Sequence, residues 1–351
     1  MVSFYPGPSR VYDDIPRYVK DAHKLGIMSV NHRSDEFMAM SRKTIKLLKQ
    51  KLSIPNDYTV FFTSSATECW EIIAQSLVTD KCYHIYNGAF GQKWFDYSKR
   101  IKAGATSVSF EVNDEFDLST LEGLPENSVL CLTQNETSNG TQIANGLLKK
   151  LRDQTGSQLI AIDAVSSMAG IKLDFRTGDV WFASVQKCFG LPAGLAVLIC
   201  SPRAIERAMA IGEKDHYNSI TFMQSMMQKW QTPFTPNVLG IYMLMRVLEN
   251  MDPIGTVHKK TVSRYNEWTE FLSQRKSIRH FVSNKRVHSY TVLPVQADPD
   301  TLANIKKHAK KKGILLGEGY GNFKPLTFRI ANFPALLDKE IQMLKKFLKE
   351  Y

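Results

Sequence analysis

Cysteine is scarce in this chain. There are five among 351 residues, at Cys69, Cys82, Cys131, Cys188 and Cys200, with no C-x-x-C pair. An odd count without framework spacing argues against a disulfide scaffold and fits reduced thiols in a cytoplasmic protein. No metal is expected. Long hydrophobic runs are also missing: nothing approaches the roughly 20 apolar residues needed to cross a bilayer. The first dozen residues hold Pro6, Gly7, Pro8 and Arg10 but no apolar stretch, so no secretory signal is read there. The glycosylation-like triplets Asn135-Glu136-Thr137 and Asn139-Gly140-Thr141 are then empty matches. Internal repeats and low-complexity linkers are absent as well.

Positive charge is in excess: 45 Lys and Arg against 34 Asp and Glu, a formal net charge of +11. Nucleic acid and small anions both attract such a surface. The cations are spread along the chain rather than interleaved with aromatics, which speaks against a nucleic-acid module. Lys306–Lys312 falls in a predicted helix from Asp300 to a stop at Gly313, with Leu302, Ile305 and Ala309 on its apolar side. It reads as a solvated face.

From about residue 58 to 200, short apolar runs alternate with amphipathic ones. Tyr58–Phe62, Cys82–Tyr86, Thr106–Phe110, Val129–Leu132, Leu159–Ile162, Val180–Ala183 and Leu195–Ile199 read as strands. Trp70, Ile73, Ala74 and Leu77 share a helix face, as do Leu147, Leu148 and Leu151. The alternation predicts an α/β fold, a three-layer α/β/α sandwich with a mostly parallel mixed sheet. Beyond Leu239 come helices over Gly240–Met251 and Thr261–Arg275, strands over His288–Val295 and Thr327–Ile330, and a terminal helix from Asp338. These predict a smaller α+β C-terminal domain. The expected division is 14–240 for a large ligand-binding domain, with 1–13 and 241–351 forming the small one.

The residues with chemical potential sit at strand ends, where such sheets bind ligands. Lys187 leaves an apolar strand for the loop Cys188-Phe189-Gly190-Leu191-Pro192-Ala193-Gly194. A buried lysine is costly unless it is neutralised or used, and an imine does both. A surface lysine at a strand end would give the same letters. Asp163 ends the apolar strand Leu159–Ile162. It suits a partner for a pyridine nitrogen, or equally a turn or N-cap. Thr63-Ser64-Ser65-Ala66-Thr67-Glu68 opens a helix and could cup a phosphate or merely cap the helix. Phe90, flanked by Gly88 and Gly91, could lie on a planar ring or in the core. His32-Arg33 and Arg329 could bind anions or form structural ion pairs.

In this order the pieces resemble the class V aminotransferases of the fold type I pyridoxal-phosphate enzymes. The likeness runs from residue 4 to about 335. It rests on Phe4-Tyr5-Pro6-Gly7-Pro8-Ser9, on His32-Arg33-Ser34-Asp35-Glu36-Phe37, and on Gln186-Lys187 followed by Gly190 and Pro192-Ala193-Gly194-Leu195. Within the class it is greatest to the branch acting on phosphoserine. The resemblance implies pyridoxal 5'-phosphate as cofactor, bound as a Schiff base on Lys187, which also moves the proton, with Asp163 at the ring nitrogen. It implies Thr137 and Ser166 beside the ring and Phe90 on its face, where many relatives carry tryptophan. It places Ala66, Thr67 and Gln186 at the cofactor phosphate, joined by Gln231 and Thr232 from a second subunit. Arg329 would take the substrate α-carboxylate, and His32 and Arg33 its distal anion. A homodimer with shared active sites follows, working on anionic amino and keto acids.

Two features depart from the phosphoserine branch. Gln231 stands where asparagine is common. The His-Arg pair expected shortly before the carboxylate arginine is missing, and Gly317-Glu318-Gly319-Tyr320-Gly321-Asn322-Phe323-Lys324 is more similar to the alanine- or serine-glyoxylate branch, with Lys324 a candidate to restore charge. A cysteine desulfurase is disfavoured because no cysteine follows Cys200.

Overall fold

The structure is a computed structural model that describes all 351 residues. In chain order the first half comprises β1 (Val2–Phe4), α1 (Ile15–Lys24), α2 (Asp35–Leu52), β2 (Thr59–Thr63), α3 (Ala66–Leu77), β3 (Cys82–Tyr86), α4 (Ala89–Ile101), β4 (Ala105–Ser109), β5 (Val129–Thr133), a short hairpin of β6 (Asn135–Glu136) and β7 (Thr141–Gln142), α5 (Asn145–Gln154), β8 (Leu159–Asp163), β9 (Val180–Ser184) and β10 (Ala196–Cys200). The second half holds α6 (Pro202–Ile211), α7 (Ile220–Met227), α8 (Val238–Asn250), α9 (Ile254–Ser273), β11 (Arg279–His280), β12 (Val292–Gln296), α10 (Pro299–Lys311), β13 (Ile314–Glu318), β14 (Thr327–Ala331) and α11 (Asp338–Leu348).

Seven strands form the large sheet in the order β2-β10-β9-β8-β5-β3-β4. All neighbours are parallel except around β10, which runs against both β2 and β9. Residues of β5, β8, β9 and β10 are buried throughout. That burial on both faces explains why these strands read as unbroken apolar runs rather than as alternations. Five strands form the second sheet, β1-β13-β14-β12-β11. Its edge strand β1 pairs parallel with β13, so the chain starts in the small sheet before entering the large one.

The predicted strands of the large sheet hold to within a residue. The predicted strand over His288–Val295 is shorter, Val292–Gln296. The reason is local: Ser289 Oγ accepts from the amides of Thr291 and Val292 and donates to Asn135, which draws the backbone out of the ladder. The helix predicted over Thr261–Arg275 begins earlier, at Ile254. Pro253 at its start needs no amide partner there. Strands β1, β11 and β13, too short or too mixed to stand out, have no counterpart in the sequence reading. The 306–312 lysines lie on α10 and the following turn. Lys306 pairs with Glu318 at 2.5 Å and Lys312 with Glu350 at 3.1 Å. All five cysteines are free and buried. No helix is long and apolar enough to cross a membrane.

Candidate active site

The carboxyl ends of β2, β3, β5, β8 and β9 converge on a cavity of about 670 Å³. That falls within the usual size of a small-molecule site. Each strand delivers one or two groups. The start of α3, after β2, gives Ala66 and Thr67, the start of α4, after β3, gives Phe90, the hairpin after β5 gives Thr137, the end of β8 gives Asp163, and the turn after β9 gives Gln186 and Lys187. Arg329 enters from β14 of the small sheet.

Lys187 is buried and not ion-paired. Its Nζ donates to Thr137 Oγ1 at 2.7 Å and Ser166 Oγ at 2.9 Å, and sits 5.2 Å from the centre of the Phe90 ring. Burial pulls its pKa down to about 8, against the pull of the Asp163 and Glu136 carboxylates. Asp163 is pushed up to about 7 by burial, opposed by the Val165 amide, which donates to Oδ1 at 2.9 Å, and by Lys187. Burial thus draws both groups toward neutrality, Lys187 from above and Asp163 from below, and both line one cavity. An amine easily made neutral and a carboxylate left with a free oxygen form a suitable pair for a planar ring carrying an aldehyde at one side and a basic nitrogen at the other.

Other features fit such a ring. Phe90 offers an aromatic face. At the start of α3, Ser65 Oγ accepts from the Glu68 amide and Ser184 Oγ from the Ala66 amide. Thr67 lines the cavity in the first turn of α3, at the positive end of the helix. The Ala66 amide, an expected phosphate donor, is thus already engaged. Gly7 lies against the lysine stem with φ +140, and a Cβ there would meet Lys187 Cε at 2.9 Å. Arg329 is fixed by Nε to the Glu318 carbonyl at 2.7 Å and Nη1 to the Thr137 carbonyl at 2.8 Å, which leaves Nη2 for an anion.

Ser166 meets the Lys187 amine without lining the cavity, and four other expected residues do not reach it within the chain. His32, Arg33, Gln231 and Thr232 gather elsewhere: Arg33 Nη1 donates to Gln231 Oε1 at 3.0 Å and to the Thr232 carbonyl at 2.8 Å. Burial, then the neighbouring Arg33 charge, lowers the pKa of His32.

Glu136, Lys93 and Tyr320 are among the groups at or beside the site that the sequence did not assign to it. Glu136, buried, accepts from the amides of Phe90, Gly91 and Ser138 and from Ser138 Oγ, and so caps α4 and sets Phe90 in place. Gly88 is the price of this contact, since a Cβ there would meet Glu136 Cγ at 2.4 Å. Lys93 and Tyr320 line the cavity mouth. A helical step of three from Phe90 to Lys93 was the available signal for the first; for the second it was the Gly317–Lys324 stretch, whose role the sequence alone did not assign.

The sequence matches the family model described as Aminotransferase class-V over residues 6–332. A crystal structure of a phosphoserine aminotransferase from Cytophaga hutchinsonii is 31% identical, with a TM-score of 0.93 over 99% of this chain and 98% of that one. Phosphoserine aminotransferase of Corynebacterium glutamicum is 27% identical over 350 residues, 96% of this chain and 91% of that protein. An alanine–glyoxylate aminotransferase from Nostoc sp. shares the fold, with a TM-score of 0.81 at 18% identity over 99% of this chain and 94% of that one.

Proposed function

The chain belongs to the class V aminotransferases, and from that premise we propose that it holds pyridoxal 5'-phosphate on Lys187 and interconverts O-phospho-L-serine and 2-oxoglutarate with 3-phosphohydroxypyruvate and L-glutamate, as in serine biosynthesis. The observation that carries this reading is the burial of Lys187 and Asp163 at the ends of neighbouring strands around one cavity that also receives Arg329.

When bound, the cofactor supplies an electron sink for the substrate's α-carbon. The chain does the rest. Lys187 Nζ, with a pKa near neutrality, takes the α-proton and returns it, a role typically worth about 10²–10⁴-fold. Thr137 and Ser166 hold that nitrogen between transfers. Asp163 keeps its negative charge against a protonated ring nitrogen. Arg329 fixes the α-carboxylate, and so orients the α-C–H bond toward the lysine. The Thr67 amide and Gln186 supply donors for the cofactor phosphate.

His32, Arg33, Gln231 and Thr232 act in the partner's site in this reading. Their clustering on one patch away from the chain's own cavity supports a homodimer with shared sites. The two separate sheets support the division into a cofactor-binding domain, 14–240, and a small domain, 1–13 with 241–351.

A purified sample should carry the absorbance of lysine-bound cofactor and lose it on addition of phosphoserine. Lys187→Ala should lack both the absorbance and turnover; an active, coloured Lys187→Ala protein would overturn the assignment. The Gly317–Lys324 stretch favours a second reading, an alanine- or serine-glyoxylate aminotransferase. Under it, Arg33→Ala would cost phosphoserine and alanine turnover alike. Under the first, phosphoserine suffers far more.

A further inference from the structure

The cavity mouth holds a cation that the functional reading above leaves unused. Lys93 lies one turn beyond Phe90 on α4, and its Nζ donates to the Tyr320 hydroxyl at 2.5 Å. That nitrogen also lies 5.2 Å from the centre of the Tyr320 ring and 5.5 Å from that of Phe90. The Arg329 guanidinium lies 5.4 Å from the same Tyr320 ring. One tyrosine thus joins two cations: its hydroxyl accepts from Lys93, which lies close to the ring plane beyond that oxygen, while the Arg329 guanidinium lies within cation–π range of the ring. The Phe90 and Tyr320 ring centres are 5.2 Å apart, so the tyrosine is itself seated on the ring expected to cover the cofactor. Lys324 lines the same mouth from the loop that carries Tyr320.

Two positive groups held around one aromatic ring fit a molecule with two anionic heads a few bonds apart. Arg329, buried and doubly anchored, suits the head that must stay fixed during chemistry. Lys93 is exposed and held by a single neutral hydroxyl. An ammonium in that state exchanges partners at little cost when a dianion arrives, because no carboxylate has neutralised it. Glu318, the acidic side chain of the same mouth, is already paired with Lys306.

We propose that Lys93, positioned by Tyr320 and assisted by Lys324, is a specificity-determining residue that binds the distal anion of the amino-acid substrate from within the same chain. This rests on the transaminase reading of the cavity. It gives the site a substitute for the missing His-Arg pair, built on different elements, and selects substrates with a second negative charge over alanine or serine. Both substrates of a ping-pong cycle would use it, the phosphate of phosphoserine and the side-chain carboxylate of glutamate.

The test uses the cofactor-loaded protein and its variants Lys93→Met, Lys93→Arg and Tyr320→Phe. Each half-reaction is followed by absorbance against concentration of phosphoserine, glutamate or alanine. Lys93→Met should lose about 10- to 100-fold in kcat/KM on phosphoserine, mostly through KM, as expected for losing a charged hydrogen bond. It should lose a similar factor on glutamate and much less on alanine. Lys93→Arg should restore most of the loss. Tyr320→Phe should fall between, since the ring stays while the hydroxyl goes. Calorimetry of phosphoserine with the cofactor-free protein should show the same ranking without any turnover. A Lys93→Met protein that keeps wild-type KM for both anionic substrates, or that loses as much on alanine, overturns the proposal while leaving the transaminase reading intact. A wild-type protein with no lysine-bound absorbance overturns that reading instead.

Discussion

Asp163 and Lys187 make the cofactor-free site sensitive to pH, and the two residues act over different ranges. The carboxyl of Asp163 titrates near 7 in the fold against about 3.8 in an unfolded chain, so the folded form holds its proton more tightly. Stability of the cofactor-free protein should therefore fall as pH rises from about 4 to 7, by on the order of a few kcal/mol. Lys187 is lowered to about 8 from 10.5, so its contribution recovers as pH rises through 8 toward 10.5. Thermal melts of cofactor-free protein should show the first slope in wild type and lose it in Asp163→Asn; an unchanged slope in that variant would show that another group is responsible. Both residues were legible in the sequence because a charged residue ending an apolar strand is costly wherever it is not used. Glu136 was not. Its triplet Asn135-Glu136-Thr137 matched a surface glycosylation pattern, and only the fold reveals that Glu136 turns inward to cap α4. Glu136→Gln retains an acceptor but gives up the charge-assisted bonds, and it should lower the melting midpoint by several degrees, with a cost of about 1–3 kcal/mol. A melt superimposable on wild type would count against that capping role.

At the level of elements, the periodicity of the chain identified the buried strands and long helices well, because burial on both faces or on one helical stripe writes itself into the spacing of apolar residues. It failed where pairing comes from distant segments. β1 and β13 depend on each other across the length of the chain, and neither has the length to declare itself. The residues after β1 then cross the lysine turn: Ser9 donates from its amide and hydroxyl to the Gln186 carbonyl, and from its hydroxyl to that of Lys187, while the Tyr12 amide reaches the Gly190 carbonyl. Gly7 belongs to this crossing and has a left-handed φ with no room for a side chain. Gly7→Val should displace the lysine stem and reduce cofactor loading about tenfold or more, read as absorbance per protein. Full loading of a folded Gly7→Val protein would contradict that close packing.

For the whole molecule, the separation of Lys187 from Arg33 and Thr232 predicts complementation. Lys187→Ala and Arg33→Ala proteins, each nearly inactive on phosphoserine, should regain activity when their subunits are mixed and exchanged. Random pairing leaves on the order of a quarter of the sites intact. No recovery after demonstrated exchange would refute shared sites. The net charge of +11 should also draw anionic substrates inward, so kcat/KM for phosphoserine should drop with added salt more steeply than that for alanine.

The crossing of residues 5–12 over the lysine turn links the two sheets in a way that neither sheet could achieve by packing alone. Because this strap is pinned at one end by pairing with β13 and at the other by carbonyls on either side of Lys187, a tilt of the small sheet would tug directly on the backbone that carries the reactive amine. Trimming the first nine residues would therefore slacken the active centre itself, not merely fray a terminus, and a bulky label fused there would be felt as a change in colour.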